Sequence, residues 1–257
     1  MHFYFFFTFS CNESGLYELE EATDDTSTTP DPKPRGSIVM LGDSVFALSG
    51  DIAKELKLLS GKEYPHYYIV GAEMKGTKDS FGGTESDLPN QYKRAKAEHA
   101  PIHTIIFDGG ANDIILTAYG QCKAAPNPEN LDMKTLCRPF FEEAVEEVTT
   151  GLSALLKTMR EDGVQHVIYQ GYYRSTNPDF DDASDFGMQA LKAVIDEHQE
   201  AFQSPKSLSF IDPRPHFNGK EAEYIISDRI HPSAAGSKVL ANLIWNILLE
   251  KGIETAP

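Results

Sequence analysis

Short apolar runs alternate with longer amphipathic stretches from residue 37 onward. The runs at about 37–41, 66–70, 103–107, 165–170 and 208–211 are rich in Ile, Val and Tyr, which predicts strands buried on both faces. Between and after them, apolar residues recur at helical spacing over about 50–60, 87–99, 139–161, 184–201 and 233–250. In the first of these stretches they fall at 52, 53, 56 and 59. The 139–161 stretch carries Phe140, Ala144, Val148, Leu152 and Leu155 on one side, with Glu142, Glu143, Glu146 and Glu147 opposite. Those carboxylates read as a solvated face rather than a catalytic pair. Strand and helix in alternation predict an α/β fold, a three-layer αβα sandwich around a parallel sheet of five strands. No internal repeat or second domain interrupts it.

Candidate chemistry gathers where the predicted strands end, the place where open parallel sheets bind ligands. The first run, Ile38 to Leu41, passes at once into Gly42, Asp43 and Ser44. A serine hydroxyl is a poor nucleophile without a base to take its proton. The candidate base lies near the other end, where Asp228 and His231 stand three residues apart in ISDRIHPSAAG, just before Pro232 and Ser233 open the last helix. After the run Thr104 to Phe107 comes DGGANDI, whose glycines allow close backbone approach and whose Asn112 offers an amide donor. Tyr172, Tyr173 and Arg174 follow the fourth run at the same rim, where the tyrosines either line a substrate pocket or cap the core. Taken singly, each residue also has a plain structural reading. Ser44 and Asp43 are good helix caps, Asp228, Asn112 and Asp113 good turn residues, and His231 a packed surface histidine. His103 and His166 read as structural, and His216 as a weaker site candidate.

In combination these blocks resemble the SGNH, or GDSL-type, serine hydrolase family. Its Ser in GDS matches Ser44, its Asn in GxND matches Asn112, and its His and acid in DxxH match His231 and Asp228. Its glycine block, N-x-G-x-S-G, aligns with GAEMKG so that Gly76 takes the final glycine and Gly71 stands where Asn is usual. The resemblance spans roughly residues 37 to 250. It implies a flavodoxin-like five-stranded sheet, a Ser44–His231–Asp228 triad working through an acyl-enzyme, and no cofactor. The oxyanion donors it implies are the backbone amides of Ser44 and Gly76 and the Asn112 side chain. No Gly-x-Ser-x-Gly elbow is present, which speaks against the α/β-hydrolase route. The absence of an amphipathic lid favours a carboxylic ester with a small to medium acyl chain. Deacetylation of a carbohydrate or envelope polymer, or thioester cleavage, would use the same machinery. A catalytically silent glycan- or lipid-binding module is the alternative from another class.

Charge and cysteines set the context. A formal net charge of −16 over 257 residues argues against attraction to phosphate backbones or anionic membrane surfaces, so nucleic acid is not expected as a partner. Phe3 to Phe9 is apolar but far shorter than the ~20 residues a spanning helix needs. Residues 1–36 thus read as an apolar segment and a disordered acidic linker ahead of a hydrolase domain at 37–257. An apolar start, a Cys and a linker resemble a bacterial lipoprotein, with Cys11 acylated and the protein secreted, periplasmic or lipid-anchored. A mis-chosen start codon is the competing reading. Cys122 and Cys137 close a loop of about 15 residues, leaving Cys11 over. They form either a disulfide or, in a reducing cytoplasm, free thiols. No Cys-x-x-Cys or His-Glu-x-x-His spacing predicts a metal site.

Overall fold

The computed structural model describes residues 37–48, 50–74, 84–127, 131–177, 180–202 and 206–255. Residues 1–36, with Cys11, lie outside them, as does Gly76. Four parallel strands form the sheet in the order β1 (Ser37–Leu41), β2 (Ile102–Phe107), β3 (His166–Gln170) and β4 (Ser207–Ile211). In register, Leu41 pairs with Phe107, Phe107 with Tyr169 and Tyr169 with Phe210, so the carboxyl ends form one rim.

The run at 66–70 departs from the expected fifth strand. It makes a single parallel bridge, His66 to Met40, and flanks β1 through Met40 N to Pro65 O, Tyr67 N to Met40 O and Ile69 N to Gly42 O, at 2.9, 2.9 and 3.0 Å. An edge segment has only one neighbour to bond, and Pro65 has no amide to donate, so the ladder stays sparse. Counting this irregular edge as the second strand, the order is the flavodoxin-like 2-1-3-4-5.

The helices are α1 (Ser44–Ala47), α2 (Asp51–Ser60), α3 (Leu88–His99), α4 (Tyr119–Ala124), α5 (Met133–Glu161), α6 (Asp181–Gln199), α7 (Arg214–Phe217), α8 (Glu221–Tyr224) and α9 (Ala234–Glu250). Strand side chains alternate between the two helical layers. Ile38, Met40, Ile106 and Ile168 bury against Ile52 and Leu56 of α2 and Leu240, Ile244 and Leu248 of α9. Val39, Leu41, Ile105 and Val167 bury against Leu88 and Tyr92 of α3, Leu152 and Leu156 of α5, and Leu191 and Ile195 of α6. This is the two-sided covering that continuous apolar strands require.

Helix α5 begins at Met133, earlier than its apolar stripe predicts, and carries Pro139 inside it. An interior proline typically costs about 3 kcal/mol. Two features offset that loss. Asp132 caps the first turn by accepting the Thr135 amide at 2.9 Å, and Cys137 is disulfide-bonded to Cys122 of α4. Around the disulfide, Ile114, Ala118, Phe141, Ala144 and Val145 form a separate small core. That core underlies a π-helical turn, Asp113–Ala118, which leaves the end of β2. Among the described residues no helix is long and apolar enough to cross a membrane, and no cluster of three His, Cys, Asp or Glu could hold a metal.

Candidate active site

The turn after β1 is shaped by its neighbours. Gly42 has φ 151°, and a Cβ there would stand 1.9 Å from Asp108 Oδ1, so no other residue fits. Gln91 of α3 clamps this glycine on both sides, accepting its amide at 2.8 Å and donating to its carbonyl at 2.9 Å. Asp43 caps α1 by accepting the Val45 amide at 2.9 Å. Ser44 is thereby fixed as the first residue of a short helix, 7% exposed at the sheet rim.

The loop before α9 brings the imidazole to that hydroxyl. His231 Nε2 lies 2.8 Å from Ser44 Oγ, and His231 Nδ1 lies 2.6 Å from Asp228 Oδ2. With Nδ1–H donating to the carboxylate, Nε2 is left to accept the serine proton. The other Asp228 oxygen accepts the amides of Ile230 and His231, each at 2.9 Å. This fold-back requires Arg229 to take φ 67°, a left-handed conformation costing a non-glycine residue roughly 1–2 kcal/mol. Its carbonyl is held there by Ser175 Oγ at 2.7 Å and the Thr176 amide at 3.1 Å. Tyr173 adds a further tie, its hydroxyl donating to Ile230 O at 2.7 Å.

Asn112 ends the loop after β2, 8% exposed. Its amide donates to Ala72 O at 2.7 Å, which leaves the second N–H of that amide for another acceptor. Asp113 Oδ2 accepts the Met74 amide at 2.9 Å, and Thr117 Oγ1 donates to Glu73 at 2.7 Å. The segment 72–74 leading toward Gly76 is therefore stitched to the start of the π-helical turn.

Burial and hydrogen bonding push the acids in opposite directions. Burial raises the Asp228 carboxyl, but the amides of His231 and Ile230 and the imidazole outweigh it and leave its pKa below the ordinary value. Burial holds Asp43 above its ordinary value despite the Tyr172 hydroxyl and the Val45 amide. Asp108 is held well above, first by burial and then by the charge of Asp43.

A model of the GDSL-like lipase/acylhydrolase family matches residues 40–239. The chain belongs to this family. As a member of it, the protein is a carboxylic ester hydrolase with the expected SGNH hydrolase fold. Among solved structures, a lipase from a goat rumen metagenome is 18% identical with a TM-score of 0.55, over 82% of this chain and 96% of that one. A lipase/acylhydrolase from Enterococcus faecalis is 16% identical with a TM-score of 0.50, over 86% and 98%. A catalytic mutant of an acetylxylan esterase from Geobacillus stearothermophilus is 18% identical with a TM-score of 0.50, over 84% and 95%. No curated protein sequence matches.

Within this GDSL-type hydrolase, Ser44, His231 and Asp228 come together, and Gly76 lies outside the described residues. Tyr173 corrects the reading of it as a pocket residue: it is 5% exposed, stacked on Phe217 at 4.2 Å, and braces the histidine loop. Tyr172 is half-buried and donates its hydroxyl to Asp43 Oδ2, at 2.6 Å. His103 and His166 stand in β2 and β3, where His166 bonds Ser207 at 2.8 Å. His216 lies in α7. The sequence reading missed Gln91 and the pairing of Asp108 with Asp43. Gln91 did leave a signal, being the polar residue in the buried stripe Leu88, Gln91, Tyr92, Ala95.

Proposed function

We propose that the protein hydrolyses carboxylic esters of small to medium acyl chains through a Ser44–His231–Asp228 triad. The observation that carries this reading is the unbroken chain of contacts from Ser44 Oγ through the imidazole to Asp228, at 2.8 and 2.6 Å. Ser44 Oγ attacks the acyl carbonyl while His231 Nε2 takes its proton, and Asp228 holds the tautomer and stabilises the imidazolium. The tetrahedral oxyanion is received by the Ser44 amide, the free N–H of Asn112 and the Gly76 amide, all three assigned by their place in the family pattern. Collapse expels the alcohol, which leaves with the proton from His231. Water, deprotonated by the same imidazole, then attacks the acyl-enzyme and releases the acid and Ser44.

Likeness to an acetylxylan esterase favours a second reading within the same mechanism, O-deacetylation of a carbohydrate. A panel of p-nitrophenyl acetate, butyrate and palmitate, together with an acetylated xylan, tests both. The first reading expects turnover highest on the short esters and lost in Ser44→Ala. Release of acetate from the xylan far faster than from the simple esters would favour the second. Turnover unchanged in Ser44→Ala would contradict both.

We also propose that the protein works outside the cytoplasm, tethered by a lipid on Cys11. The Cys122–Cys137 disulfide supports an oxidising compartment. Labelling with a fatty-acid analogue in a bacterial host should modify the full chain and not Cys11→Ala.

A further inference from the structure

Two carboxyl side chains meet beneath the nucleophile turn. Asp43 is 1% exposed and Asp108 fully buried. The Asp43 carboxylate is well supplied with donors, the Val45 amide on Oδ1 at 2.9 Å and the Tyr172 hydroxyl on Oδ2 at 2.6 Å. Asp108 has less. Its Oδ1 accepts the Asp43 amide at 2.8 Å, whereas its buried Oδ2 has no partner among the described residues.

Among the described residues, the other titratable groups acting on or with the pair supply no cation for Asp108. They are Tyr169 of β3, Tyr172 and Tyr173 just beyond it, and His231 of the last loop. His231 alone of these can be positive, and it acts on Asp43. Gln170, at the end of β3, is neutral.

Two neighbouring acids in a buried site cannot both ionise at modest cost, so one keeps its proton. The proton belongs on the acid with fewer donors, and an orphan carboxyl oxygen becomes satisfied once it carries a hydrogen and gives it to a carboxylate. Burial and the neighbouring charge of Asp43 act on Asp108 in the same direction.

We propose that Asp108 is a neutral carboxylic acid in the working enzyme and a positioning residue for the nucleophile turn, accepting the Asp43 amide through Oδ1 and donating to the Asp43 carboxylate through Oδ2–H. It holds the residue before Ser44 from the β2 side, as Gln91 holds Gly42 from α3. No proton leaves Asp108 during turnover, and it touches no substrate.

This rests on Ser44 being the nucleophile, and the experiment separates the two. Asparagine reproduces the proposed state, with a carbonyl oxygen to accept and an N–H to donate. Asp108→Asn should keep kcat within about threefold of the wild type, while Asp108→Ala, which leaves the Asp43 amide and carboxylate short of partners, should lose about tenfold or more in kcat with KM little changed. Difference infrared spectra of wild type minus Asp108→Asn at neutral pH should show the carbonyl band of a buried protonated carboxyl. Absence of that band, or a fall in Asp108→Asn as deep as in Asp108→Ala, overturns the proposal. If Asp108→Ala fails to fold, the spectrum and kcat of Asp108→Asn decide it alone. Full activity in Ser44→Ala would instead overturn the reading of the nucleophile.

Discussion

The hydroxyl of Tyr172 donates to Asp43 Oδ2 at 2.6 Å, joining the loop after β3 to the residue that precedes Ser44. The bond spans 129 residues of sequence and gives a buried carboxylate a donor. Tyr172→Phe removes that donor without removing the ring. Hydrogen bonds to charged groups contribute roughly 1.5–3 kcal/mol, so the variant should melt earlier and turn over more slowly, with KM little changed. Thermal denaturation and steady-state kinetics on a short ester check this. An unaltered melting temperature would show the bond to be dispensable.

Asp228→Asn keeps the shape of the triad acid and removes its charge. Turnover should fall on the order of 10³- to 10⁴-fold, because the imidazole loses both its tautomer control and its counter-charge. The same acid predicts a direction for stability. Its folded-state pKa is depressed, so its contribution is present above the ordinary aspartate value and is lost as pH falls through the lower, folded-state value. Acid melts of the wild type and Asp228→Asn should therefore converge as pH drops, and parallel curves would contradict the assignment.

Much of this site is legible in the sequence because its motifs are local. An apolar run ending in Gly42, Asp43 and Ser44 marks a strand tip, and Asp228 and His231 are close enough for one turn to join them. The supporting bonds are long-range: Gln91 to Gly42 across 49 residues and Asp108 to Asp43 across 65. No periodicity announces such pairs. The same limit hid the start of α5, whose apolar stripe begins at Phe140 although Asp132 and the disulfide at Cys137 carry the helix further back. The run at 66–70 has strand composition, but composition does not reveal that it lies at an edge with one neighbour.

The Cys122–Cys137 bond closes a 15-residue separation and anchors the small core beneath the π-helical turn that follows Asn112. Chain-entropy arguments put the stabilisation from such a loop at about 3 kcal/mol. Both cysteines are buried, so the variant Cys122→Ala with Cys137→Ala is a cleaner probe than added reductant. It should melt at lower temperature and lose turnover through a loosened Asn112. Equal melting temperatures would sink the stabilising role.

Asn112→Ala removes a donor to Ala72 O and the amide proposed for the oxyanion. Turnover should drop about 100-fold or more, with substrate affinity nearly unchanged, because the donor acts on charge that exists only in the transition state. A rise in KM at constant kcat would place Asn112 in substrate binding instead.

The most direct test is chemical. A fluorophosphonate reacts with a serine only when a neighbouring base activates it. Incubation with the native protein, followed by peptide mass spectrometry, should give one adduct, on Ser44, with labelling abolished in Ser44→Ala and strongly slowed when His231 is replaced by Ala. An unmodified Ser44 in a folded protein that still cleaves esters would contradict the account.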